Sequence, residues 1–141
     1  LPKVDLAGIE INPNAVEQLQ AWGVAQVFPG SILNVEPDQK FDLTFSKGVL
    51  IHIAPPDLPD TYRRLYDWSR KYICVIEYYN PTPVALSYRG HANKLFKRDF
   101  AGDLLDYYPD LKLVDYGFFY HRDEKAPQDD LSWFLLKKRG G

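Results

Sequence analysis

Methionine is absent from the 141 residues, and cysteine occurs once, at Cys74. A single thiol excludes an intramolecular disulfide framework and a cysteine-rich zinc site. It fits a reducing, cytoplasmic setting. Neither sign of charge is in excess: 17 basic against 19 acidic residues leave a formal net charge of −2. That balance gives no electrostatic case for nucleic acid as a partner. No apolar run approaches the ~20 residues that a bilayer-spanning helix needs, so no membrane partner is expected. The first residues lack the basic stretch and long apolar run of a signal peptide. Repeats, low-complexity tracts and metal-ligand clusters are missing too, so no metal is expected. The opening at Leu1, without a methionine, leads us to expect a chain that starts mid-domain.

Hydrophobic residues make up 45% of the chain, enough for one core and one domain over residues 1–141. Val4 to Ile11 reads as a buried strand ending in an acid, Glu10. Asn12 caps a helix that begins at Pro13, buries Ala15, Val16, Leu19 and Trp22, and stops at Gly23. Ala25 to Phe28 is a second strand and 30–38 a loop. Phe41 to Ser46 is a third strand. Asp57 to Arg70 is a helix after the breaker Pro55-Pro56, and Tyr72 to Tyr78 a continuous apolar strand. Residues 80–94, with two prolines, a glycine and many polar groups, read as a loop over a site. Asp99 to Tyr108 is a helix that Pro109 ends. Leu111 to Tyr120 and Leu131 to Lys138 have the order of an antiparallel hairpin. The alternation predicts an α/β fold, Rossmann-like, its sheet mostly parallel with an antiparallel C-terminal hairpin.

Three segments have the character of a ligand site. Glu10, followed by Ile11, stands at a strand end before a helix, where a carboxylate can accept hydrogen bonds from ribose hydroxyls. Ser31-Ile32 pairs a hydroxyl with an apolar side chain, suited to the edge and face of an adenine. Lys47-Gly48-Val49 follows the third strand, at the carboxyl end where α/β sheets bind ligands. His52, just beyond, is a general-base candidate because imidazole titrates near neutral pH. On the acceptor side, Tyr78, Tyr79, Asn80, Tyr88 and Arg89 combine aromatic faces with polar donors, and His91 is a second base candidate. His121-Arg122-Asp123 reads equally well as a polar turn. Cys74 reads as a core residue.

Phe41 to Ile53 resembles the fourth-strand motif of class I S-adenosylmethionine (SAM) dependent methyltransferases. More narrowly, the segments 41–43, 47–53, 77–83, 88–91, 95–102 and 120–123 together resemble the pseudaminic acid biosynthesis-associated methylases. The resemblance spans essentially the whole chain. It implies SAM as cofactor and methyl transfer to a small sugar-derived acceptor in nonulosonic (pseudaminic) acid metabolism. Glu10 then matches the ribose acid, Ser31 and Ile32 the adenine-side pair, and Lys47, Gly48 and Val49 the border of the methionine part. It also implies an earlier strand and glycine-rich loop, absent here, whose place is between the strand ending at Glu10 and the strand Phe41 to Ser46. A homodimer is expected, because it would cover the strand edges so exposed, and SAM binding is expected to be weak. Two other readings stand beside this one. The first is a non-catalytic methyltransferase remnant that binds a sugar or a partner. The second is an NAD-dependent sugar oxidoreductase, which a Tyr-x-x-x-Lys pair would favour.

Overall fold

A computed structural model describes residues 4–140, with side chains at all of them except 88 and 91–94. It divides into two compact units, Leu1–Gln39 and Lys40–Gly141. The first is a strand-helix-strand unit. Strand β1 (Ala7–Glu10) and helix α1 (Pro13–Trp22) lead to β2 (Gln26–Pro29), which pairs parallel to β1 from Ala7↔Gln26 to Glu10↔Pro29. The helix starts where its capping chemistry is: the Asn12 side chain accepts from the Asn14 N–H, and Pro13 needs no donor partner. It stops at Gly23, whose φ of 72° is left-handed. Among the predicted helix face only Val16 is fully buried, and Trp22 is 65% exposed.

The second unit opens with β3 (Phe41–Lys47), two 3-10 turns at Leu50–His52 and Pro55–Asp57, and α2 (Leu58–Trp68). Then come β4 (Ser69–Glu77), β5 (Val84–Tyr88), β6 (His91–Lys97), α3 (Phe100–Tyr107), β7 (Leu111–Phe119) and β8 (Leu131–Lys138). Four strands form one sheet in the order β3-β4-β8-β7, and β5 and β6 form a separate hairpin. Cross-strand register puts Thr44, Ser46, Ile73, Val75, Glu77 and Leu136 on one face. Helices α2 and α3 pack on that face: the Thr44 hydroxyl donates to the Leu65 carbonyl at 2.9 Å, and Leu58, Tyr62, Leu65, Phe100 and Leu104 are buried. On the opposite face Leu43 and Phe45 are 45% and 59% exposed.

Three expectations need correction. The described ladders are mixed rather than mostly parallel: β1–β2 and β3–β4 are parallel, whereas β4–β8, β7–β8 and β5–β6 are antiparallel. The expected antiparallel C-terminal hairpin is present, and it packs β8 against β4. Residues 80–94 are not one loop, because β5 and β6 occupy most of that stretch. Arg89 and Gly90 both have positive φ, 48° and 81°, the backbone of a type I′ turn whose twist suits a two-residue hairpin. The boundaries of the first strand also shrink, since β1 begins only at Ala7.

Candidate functional site

In the first unit the strand-end acid is held in place. The Asn12 N–H donates to Glu10 Oε1 at 2.7 Å, and the Gly30 N–H donates to the Glu10 carbonyl at 2.9 Å. Oε2 has no protein partner among the described residues, and the side chain is half-buried. A carboxylate anchored through one oxygen can accept from a diol through the other. Ser31 Oγ accepts from the Leu33 N–H at 3.2 Å, so its own proton remains available to an acceptor atom of a ligand. Ile32 is half-buried nearby in sequence, and Ile11 is 71% exposed. These groups fit the ribose and adenine of a nucleoside cofactor.

In the second unit the chemistry gathers at the carboxyl ends of β3 and β4. Gly48 has a φ of 63°, and its N–H donates to the Ile76 carbonyl at 3.0 Å. A Cβ there would meet nothing within 4 Å, so the left-handed turn, not crowding, calls for glycine. The chain after it is pinned by Glu77, which the sequence places within the apolar strand Tyr72 to Tyr78 and the segment 77–83 but marks with no role. Glu77 is 2% exposed. Its Oε1 accepts from the Ser46 hydroxyl at 2.8 Å, the Val49 N–H at 2.9 Å and the Leu50 N–H at 3.0 Å. Oε2 is buried with no hydrogen-bond partner. Burial pushes the carboxyl above its usual range, although the Leu50, Ser46, Val49 and Ile51 donors pull the other way. The sequence signal that could have found it is an acid ending an otherwise apolar strand.

Lys47 and Val49 are exposed, and Lys47 Nζ donates to Gln128 Oε1 at 2.6 Å, joining this end of β3 to the β7–β8 turn. His52 closes the 3-10 turn Leu50–His52 and is exposed; its N–H donates to the Val49 carbonyl at 2.9 Å. Beyond the end of β4, Lys97 Nζ lies 4.9 Å over the Tyr78 ring, and the Tyr79 ring tilts against Phe134 at 5.8 Å. The Asn80 amide donates to the Thr82 carbonyl, and the Asn80 N–H donates to the Arg98 carbonyl at 3.5 Å. A cleft of about 210 Å³ is lined by Pro55, Pro83, Val84, Ala85, Phe96, Lys97 and Arg98. Arg89 sits at the hairpin tip, where its backbone serves the turn. The side chains of Tyr88 and His91 lie outside the described residues. A Tyr-x-x-x-Lys spacing does occur at Tyr108 and Lys112, but Pro109 intervenes and Lys112 belongs to β7, so the pair shares no helix. That disfavours the oxidoreductase reading. No helix is long and apolar enough to cross a membrane, and no cluster of potential metal ligands occurs, among the described residues.

No protein-family model matches the chain, and no curated protein does. Solved structures do. A 1,6-didemethyltoxoflavin-N1-methyltransferase of Burkholderia thailandensis, bound to S-adenosylhomocysteine, superposes with a TM-score of 0.70 over 94% of this chain at 14% identity. The fold is that of SAM-dependent methyltransferases. A SAM-dependent methyltransferase of Methanosarcina mazei (TM-score 0.67, 11% identity) matches 96% of this chain and 82% of its own. One of Clostridium acetobutylicum (TM-score 0.66, 11% identity) matches 97% and 76%. The chain spans 60% of the length of the Burkholderia enzyme.

Proposed function

We propose that the chain is part of a SAM-dependent methyltransferase acting on a hydroxyl or amine of a small sugar-derived acceptor of the nonulosonic (pseudaminic) acid class. The observation that carries the cofactor half is Glu10: a strand-end carboxylate with one oxygen fixed by a backbone donor and the other open, in a fold shared with SAM enzymes. Bound SAM would supply a methyl group activated by a sulfonium. Glu10 would hold the ribose diol, Ser31 and Ile32 the adenine edge and face, and the backbone of 47–49 the border of the methionine part. Glu77 keeps that backbone in one conformation, so positioning contributes to rate. Tyr78, Tyr79, Asn80, Tyr88 and Arg89 would line the acceptor side, with His52 or His91 as bases; the motif resemblance of 77–83 and 88–91 supports the sugar class. A cytoplasmic setting accords with the free Cys74 thiol.

The test is saturation-transfer NMR of SAM with the purified chain, which reads weak binding. Glu10→Ala should lower SAM affinity by about 1–3 kcal/mol, the scale for hydrogen bonds to a charged group. Equal affinity in the variant would remove Glu10 from the ribose role. No SAM signal with the parent chain would favour the non-catalytic reading.

A further inference from the structure

Strand β3 runs parallel to β4, β8 runs antiparallel to β4, and β7 runs antiparallel to β8. The carboxyl ends of β3, β4 and β7 therefore share one edge of the sheet, and the β7–β8 turn projects from the edge that bears Lys47, Gly48 and Glu77. The Lys47–Gln128 hydrogen bond ties the turn to that segment directly. The turn is ordered by its own backbone bonds: Asp123 Oδ1 accepts from the N–H groups of Lys125 and Ala126, and the Tyr120 carbonyl accepts from the Asp123 N–H.

Within it, His121 and Asp130 form a dyad. Nδ1 of His121 lies 2.9 Å from Asp130 Oδ1 and 3.0 Å from Oδ2, and the His121 N–H also donates to Oδ1 at 3.1 Å. The His121 ring and backbone hold the Asp130 carboxyl below the usual carboxylate range, so it is ionised at neutral pH and can only accept. The ring proton of neutral His121 then belongs on Nδ1, and Nε2 keeps its lone pair. In water, imidazole side chains favour the opposite tautomer. The pair is about half exposed, so it adds little stability; its consequence is orientation. His121 lines a shallow, open surface hollow with Pro127, Gln128 and Asp129.

We propose that His121 is the proton acceptor of the methyl-transfer site and that Asp130 orients it. The proposal rests on the methyltransferase reading above and assigns the base role to His121 in place of His52 or His91. The acceptor's O–H or N–H bond breaks and its proton passes to Nε2. The lone pair of that oxygen or nitrogen forms a bond to the methyl carbon, and the methyl–sulfur bond of the sulfonium donor breaks with its electron pair left on sulfur. Positive charge lost at sulfur reappears on the imidazolium, facing the Asp130 carboxylate. Asp130 thus acts as a positioning residue, the logic by which a carboxylate fixes a catalytic imidazole.

Long-range proton–nitrogen correlation NMR on the labelled chain reads the tautomer without turnover. We expect the Nδ1–H form at His121, and reversion toward Nε2–H in Asp130→Ala; an Nε2–H form in the parent chain overturns the proposal. With labelled SAM and N-acetylneuraminate as a nonulosonic acid probe, His121→Gln should reduce methyl transfer about 100-fold or more, the range for losing a general base, while SAM saturation transfer is unchanged. Equal transfer rates in parent and variant overturn it as well. Absence of SAM binding in the parent chain defeats the underlying reading instead, and is told apart because the tautomer at His121 is read independently.

Discussion

At the scale of single residues, Glu77 has one oxygen crowded with donors and the other with none, both out of water. Removing the side chain strands the Val49 and Leu50 N–H groups and the Ser46 hydroxyl. Glu77→Ala should therefore destabilise by about 2–3 kcal/mol in urea melts, whereas Glu77→Gln, which keeps a carbonyl oxygen, should cost less. The two variants also separate in pH. Because the folded carboxyl titrates above its ordinary 4.5, the folded state binds the proton more tightly than the unfolded state. The contribution of Glu77 is complete below pH 4.5 and declines as pH rises through the raised value. The stability of the parent chain relative to Glu77→Gln should accordingly fall between acidic and neutral pH; a flat difference would contradict a raised value. The strand-end position of Glu77 was visible in the sequence. Its bonds to 46–50 were not, because they join residues about 30 positions apart that only the β3–β4 pairing brings together.

At the scale of elements, the helices were legible because their signals are local: Asn12-Pro13 and Gly23 bound α1, and Asp99 caps α3 through the Gly102 N–H at 2.8 Å. The β5–β6 hairpin was not, because Pro81, Pro83 and a polar stretch resemble loop composition and the turn is Arg-Gly rather than the stronger Asn-Gly signal. Gly90 at a φ of 81° tolerates no side chain cheaply. Gly90→Ala should destabilise by about 1 kcal/mol in urea melts and speed amide exchange in β5 and β6, while Arg89→Asn should be neutral or stabilising. In the C-terminal hairpin, Gly117 lies under Trp133: a Cβ would stand 2.6 Å from its indole nitrogen. Gly117→Ala should lower stability by about 1–3 kcal/mol in urea melts, the usual cost of overpacking.

At the scale of the molecule, β1 and β3 are edge strands of separate sheets, and Leu43 and Phe45 leave an apolar patch on the β3–β4 face. Unpaired edges and exposed apolar surface favour association. Light scattering coupled to gel filtration should give a mass twice that of one chain. Phe45→Lys should return it to monomer with little loss of thermal stability, since the side chain is already 59% exposed. A monomer from the parent chain at micromolar concentration would leave the edges without this partner.

Sequence by itself determined the elements whose causes lie within a few residues: the caps, the terminal strands and the strand-end acid Glu10. Capping, left-handed turns and apolar periodicity act over one or two turns of chain, so they are readable in one dimension. Only the tertiary structure decided that β8 inserts between β4 and β7, that Glu77 holds the 47–50 segment, and that His121 meets Asp130 at the edge where β3 ends. Those facts depend on ladders between distant strands, and the partner of a strand is chosen by the burial of whole faces rather than by any residue within it.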